Sequence, residues 1–183
     1  MSHETYLHLA IRELKRTKTL ADGAIAQVTP EQFFAVLSEG DNNIAVIVKH
    51  VGGNLLSRWT DFLTTDGEKP GRDRDSEFEI TTTDTQPALM QQWEAGWSAL
   101  FSALEPLTDA DLTRTIKIRG EDHSVLQAIN RQLTHYSYHV GQIVFLAKHH
   151  AGNSWRTLSV ARGKSAQFNT APRSYFTSQS PRS

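Results

Sequence analysis

Ser124-Val-Leu-Gln-Ala-Ile-Asn-Arg-Gln-Leu-Thr-His-Tyr-Ser-Tyr-His-Val-Gly-Gln-Ile-Val-Phe-Leu-Ala-Lys-His-His-Ala-Gly152 is the longest regularly patterned stretch of the chain. It opens on a capping box, Ser124-x-x-Gln127, whose side chains close N–H groups that a first turn leaves unpaired. Leu126, Ile129, Leu133, Tyr136, Val140, Ile143 and Ala147 then recur at helical spacing. Gly152 stands where a C′ glycine stops a helix. An apolar stripe of this length has to be buried against other helices.

Three more segments supply them. Leu7, Ile11, Leu14, Ala21, Ile25 and Val28 form one stripe. Ile44, Val48, Val51, Leu55, Trp59 and Phe62 form a second, on a helix expected over residues 43–64. Leu89, Trp93, Trp97, Leu100 and Leu104 form a third, over residues 86–104 with Pro87 in its first turn. Thr29-Pro30-Glu31-Gln32 starts a short helix expected to reach Leu37. The polar stretch 65–84 is too long for a simple turn and reads as a crossover. Residues 112–118 partly alternate as a short strand would, and Arg119-Gly120-Glu121-Asp122 makes a turn. The pattern predicts an all-α four-helix bundle (residues 1–152). It carries a long crossover between the second and third long helices and a small hairpin before the fourth. Residues 153–183 are expected to form an extension, packed on the bundle or partly disordered.

Composition narrows the chemistry. The 183 residues include no cysteine, which excludes disulfides, a catalytic thiol and any thiolate metal site. The apolar runs at 44–48 and 143–147 are far below the ~18 residues of a membrane span. No signal-peptide pattern opens the sequence, so a cytoplasmic location is expected. The formal net charge of −1 hides a segregation. Five basic and no acidic residues follow Ala151, while residues 1–151 carry 14 basic and 20 acidic ones. Opposite signs predict that the extension packs on its own bundle or on a partner subunit at least to Asn169, where it could help close a pocket. A nucleic-acid role for this tail, resting on its charges with Tyr175 and Phe176, is the weakest reading.

The histidines are unevenly placed. His135 and His139 are four residues apart, so both imidazoles leave one face of the helix, beside Gln132 and Gln142. They are either two ligands for one metal or two partly solvated side chains on the bundle's flank. The run lacks the Glu that follows the first His in His-Glu-x-x-His, so zincin-type hydrolysis is excluded. His50 sits in the apolar run 44–51 and needs a partner, either a carbonyl or a metal. Asn54 and Arg58 continue its line, and Gly52-Gly53 signals close packing or room for a ligand. His149 and His150 are about 15 Å further along the helix, too far to share a metal with His139. His3, His8 and His123 read as surface or capping residues. Asp73-x-Asp75-x-Glu77 fails as a calcium loop because Phe78 occupies the glycine position. The mixed-sign run 66–79 reads as a solvated loop, with a lid or dimer contact as the alternative.

His50 together with His135-x-x-x-His139 resembles the metal triad of the DinB/YfiT-like superfamily. Residues 49–69 (Lys-His-Val-Gly-Gly-Asn-Leu-Leu-Ser-Arg-Trp and onward), 72–78, 135–143 and 162–169 resemble one DinB-like branch. The resemblance implies a four-helix bundle in which His50, His135 and His139 bind a divalent ion, nickel or zinc, with water completing the shell. It implies a metal-dependent enzyme that activates water or a low-molecular-weight thiol for transfer to a small electrophile. Transferase and hydrolase remain open. Asn54, Arg58 and Gln142 are candidates to touch the substrate or support the ligands. The alternative is a non-catalytic metal-binding, dimerisation or stress-response module. A homodimer is expected, without a membrane partner.

Overall fold

Each long helix starts where a side chain closes its first turn. A computed structural model describes residues 5–170. Thr5 caps α1 (Tyr6–Ile25), and Thr29 with Gln32 forms the capping box of the short α2 (Pro30–Phe34). Asn43 accepts from the Val46 N–H to start α3 (Ile44–Trp59), and Thr85 accepts from Ala88 to start α4 (Gln86–Leu104). An antiparallel hairpin, β1 (Thr115–Ile118) and β2 (Glu121–Ser124), turns at Arg119-Gly120, both at positive φ. Ser124 then caps α5 (Val125–Ala151), which Gly152 ends at φ 53°. A last short helix, α6, spans Ser165–Thr170. No helix among the described residues is long and apolar enough to cross a membrane.

The four long helices surround one apolar core. α1 packs on α5 and α4, and α3 packs on both α4 and α5. Specific pairs give their directions. Lys49 meets Asp84 while Gly96 meets Leu55, so α3 and α4 run parallel. His50 meets His139 while Trp59 donates to the Tyr136 hydroxyl, so α3 and α5 run antiparallel. Parallel neighbours in sequence require the chain to return along the full length of α3, about 24 Å for its 16 residues. The segment between Trp59 and Gln86 makes that return. Gly96 makes the close approach possible. A Cβ there would lie 2.8 Å from Leu55 Cβ and 3.1 Å from the Gly52 carbonyl.

The return segment is a structured cover, not a solvated loop. Asp66 accepts backbone N–H bonds from Glu68, Arg119 and Gly120 at 2.7–2.8 Å, and these hold its carboxyl below the usual carboxylate range. The Gly67 N–H donates to the Lys117 carbonyl at 2.8 Å, so the segment is tied to the hairpin at one end. Lys49 ties it to α3 at the other, donating to Glu79 and Asp84. Between these ties a turn at Asp75–Phe78 buries Glu77 to 5% exposure.

Three further expectations change. α3 ends at Trp59, not residue 64, because Asp61 takes a left-handed conformation (φ 49°) and its carbonyl accepts from Thr64 and Thr65. Phe62 still reaches the core. α2 stops at Phe34 because Ala35 is extended. The strand begins at Thr115, after a tight turn over Asp109–Thr113. Trp155 and Leu158 rest on the core, and Gln27 bonds both the N–H and the carbonyl of Arg156. Residues 161–167 are exposed. Among the described residues no ion pair joins Arg156, Arg162 or Lys164 to the bundle, and the contacts of this segment with the core are apolar. Tyr175 and Phe176 lie outside the described residues.

Two helical glycines, Gly96 and Gly141, separate packing from propensity. Gly141 on α5 has open space where a methyl group would go, so Gly141→Ala should stabilise by about 1 kcal/mol. Gly96→Ala should destabilise by about 1–3 kcal/mol despite the same propensity gain, because α3 has to shift. Urea melts of the two variants check this. Equal effects would place the α3–α4 contact elsewhere.

Candidate metal centre

The polar line of α3 faces the polar line of α5. His50, Asn54 and Arg58 are 4%, 6% and 3% exposed, so this line is buried, and Gln132 and His139 oppose it at 2% and 9%. The antiparallel pairing brings His50 against His135 and His139. One nitrogen from each imidazole lies within 4.8 Å of the other two. His50 Nε2 is 3.4 Å from His135 Nε2. Two nitrogens at 2.0–2.1 Å from a tetrahedral zinc would be about 3.3 Å apart, so the pair fits a shared ion.

The remaining ring nitrogens set the direction of the lone pairs. His50 donates from Nδ1 to Glu77 Oε2 at 2.8 Å. Burial alone would raise the Glu77 pKa, but bonds from His50 and Arg72 hold it below the ordinary value, so the carboxylate is the acceptor. His50 Nε2 is then a lone pair pointing at α5. His139 Nδ1 is 2.9 Å from Gln142 Oε1, an acceptor, which leaves Nε2 as its lone pair. His139 Nε2 is buried with no hydrogen-bond partner. A buried imidazole nitrogen without a protein partner is costly unless another group, such as a metal ion, takes its lone pair. Three imidazoles without carboxylate or thiolate suit a divalent transition ion better than magnesium or calcium.

Glu77 is the residue that spacing does not reveal. It lies 27 positions from His50, in a run of charges where any carboxylate could be the partner. One local signal existed: Gly53, one turn from His50. A Cβ at Gly53 would collide with the Glu77 carboxylate, so the glycine is the slot the carboxylate occupies. Gly52, by contrast, faces Gln92 of α4. Arg72 completes the arrangement, donating from Nε and Nη2 to Glu77 at 2.7 and 2.8 Å.

The other candidates take distinct places. Asn54 does not bond His50; its Oδ1 accepts from the Tyr136 hydroxyl at 3.1 Å, which in turn accepts from Trp59. That chain locks α3 to α5 below the histidines. Arg58 lies under Gly67 and reaches Glu68 at 3.7 Å. Asn54, Arg58 and all three histidines line one cavity of about 500 Å³. Gln142 does not line it and touches His139 from behind. No described residue after His139 lines the cavity, so residues 153–170 do not border it. His8 and His123 are at the surface, His149 and His150 sit in the last turn of α5, and His3 lies outside the described residues.

Desolvation dominates the titration of the α5 pair. Burial, then the neighbouring imidazoles, lowers His135 to about 3. Burial and His50 lower His139 to about 4 against a bond to Gln142 that raises it. Both are neutral at pH 7 and able to ligate. In the unfolded chain each takes up a proton near 6.5. The unfolded state therefore binds more protons between these values, and stability falls as pH falls through that window. Metal-free protein should lose melting temperature from about pH 6.5 down to 4. The double variant H135Q/H139Q should show a shallower loss over the same range, and an equal slope would contradict the neutral pair.

A family model described as protein of unknown function (DUF1572) matches residues 2–164. No curated protein and no solved structure matches the chain. With the match spanning all the long helices and the three histidines, the chain belongs to the DUF1572 family.

Proposed function

We propose that the chain is a metal-dependent enzyme of the DinB-like type, a four-helix bundle over residues 1–152 with an extension over 153–183. His50, His135 and His139 hold one divalent ion, nickel or zinc. The observation that carries this reading is the convergence of three imidazole nitrogens from α3 and α5 within 4.8 Å. Such an ion, when bound, supplies Lewis acidity that lowers the pKa of water or of a thiol.

The chain's own groups do the rest. Glu77 fixes the His50 tautomer, and Gln142 does the same for His139. Burial keeps both α5 imidazoles unprotonated at neutral pH. The cavity of about 500 Å³ beside them has the size of a small-molecule site. With no cysteine in the chain, a reacting thiol has to come from a cosubstrate. Transfer of that sulfur, or of water, to a small electrophile is the reaction class.

Protein purified without a histidine tag should carry about one divalent ion per chain by elemental analysis. His50→Ala should lose it, and Glu77→Gln should weaken binding about 10- to 100-fold by misdirecting His50. Trace metal unchanged by His50→Ala would refute the site. Metal-dependent turnover in a screen of small thiols against electrophiles separates the enzyme from a non-catalytic module. That module would lose melting temperature on chelation and show no turnover.

A further inference from the structure

The cavity is more polarised than the chain around it. Five arginines line it: Arg58, Arg72, Arg74, Arg119 and Arg131, with no aspartate or glutamate among the lining residues. This sits in a chain whose formal net charge is −1. The carboxylates that approach these arginines stand behind the wall. Glu77 takes Arg72, and Glu68 is shared among Arg58, Arg72 and Arg119 at 3.3–3.7 Å. Glu68, Glu77 and the solvent-exposed Asp75 are three carboxylates against five guanidiniums, which leaves a positive surplus facing the cavity.

Three arginines keep donors to spare. Arg58 is 3% exposed, yet its Nε and Nη1 have no hydrogen-bond partner. Arg131 lies one turn before His135 on the same stripe of α5, and its nearest polar neighbour is the His123 ring at 3.4 Å. Arg74 lies over the Phe78 ring at 5.0 Å, and that ring packs tilted against His50 with centroids 4.9 Å apart. Its acidic contact is Asp75 at 4.0 Å, which is 98% exposed. Because α3 and α5 are antiparallel, Arg58 and Arg131 meet at one end of the cavity, and Arg74 stands near the histidines.

We infer that the site takes an anionic small molecule, its carboxylate or phosphate group bound by Arg58 and Arg131 within the field of Arg74. A planar guanidinium offers two parallel donors to such a group, and a desolvated one binds it more strongly. The arginines anchor the charged group while the rest of the molecule reaches the histidines. As an account of substrate class this rests on the metal-enzyme reading; as an anion site it stands on the arginines alone.

Succinate and inorganic phosphate, titrated calorimetrically into the full chain at low salt, are the probes, with neutral succinamide as control. At least one anion should bind, weaken as sodium chloride rises, and exceed succinamide by about tenfold or more. Tighter succinate assigns a carboxylate, and tighter phosphate assigns a phosphate. Arg74→Gln and Arg131→Gln, both at exposed positions where folding is not at stake, should each weaken binding several-fold. Absence of binding, or equal binding to the double variant R74Q/R131Q, overturns the inference. Repeating the titration on His50→Ala keeps the two readings apart. Anion binding without metal uptake sinks the metal reading alone, and metal uptake without anion binding sinks this one alone.

Discussion

A carboxylate at 5% exposure persists only if donors surround it, and Glu77 meets three N–H groups from two directions. Removing either partner would leave a buried charge uncompensated, at about 3–5 kcal/mol. Much of the site follows from that constraint. Glu77 needs space, so α3 carries Gly53. It needs a cation beside it, so Arg72 is drawn inward to 6% side-chain exposure. It accepts the hydrogen bond from His50 Nδ1, so the other ring nitrogen faces α5. A segment with a charged, solvent-like sequence becomes the wall of a cavity.

The helices make the constraint satisfiable. Parallel α3 and α4 oblige the chain to travel back along α3, which puts residues 60–85 over the polar line of that helix. Antiparallel α3 and α5 set His50 against the i, i+4 pair. The hydrogen-bond chain from Trp59 through Tyr136 to Asn54 fixes the register of the two helices one turn from the histidines. Polar groups lie where helices have to be aligned, and the apolar stripes supply the adhesion.

Features carried by local chemistry were legible in the residues. The caps at Thr29 and Ser124, the stop at Gly152 and the shared face of His135 and His139 depend on spacings of four or less. Features carried by long-range contact were not. Glu77 and Arg131 resemble many other charges in the sequence, and only the tertiary arrangement distinguishes them. The buried state of His50 was readable from its apolar neighbours, although its partner was not. In the extension, Trp155 and Leu158 supply the apolar contacts that a count of charge leaves out.

His135 and His139 become a two-nitrogen chelate as soon as α5 winds, because one turn of helix is enough to align them. His50 joins them only after α3 has docked and the 60–85 segment has laid Glu77 against it. An ion captured early would be held by two nitrogens, and by three once the chain is complete. The gain in affinity between those states is folding free energy. An ion held by all three histidines would therefore favour the docked position of α3 and of its cover over the cavity.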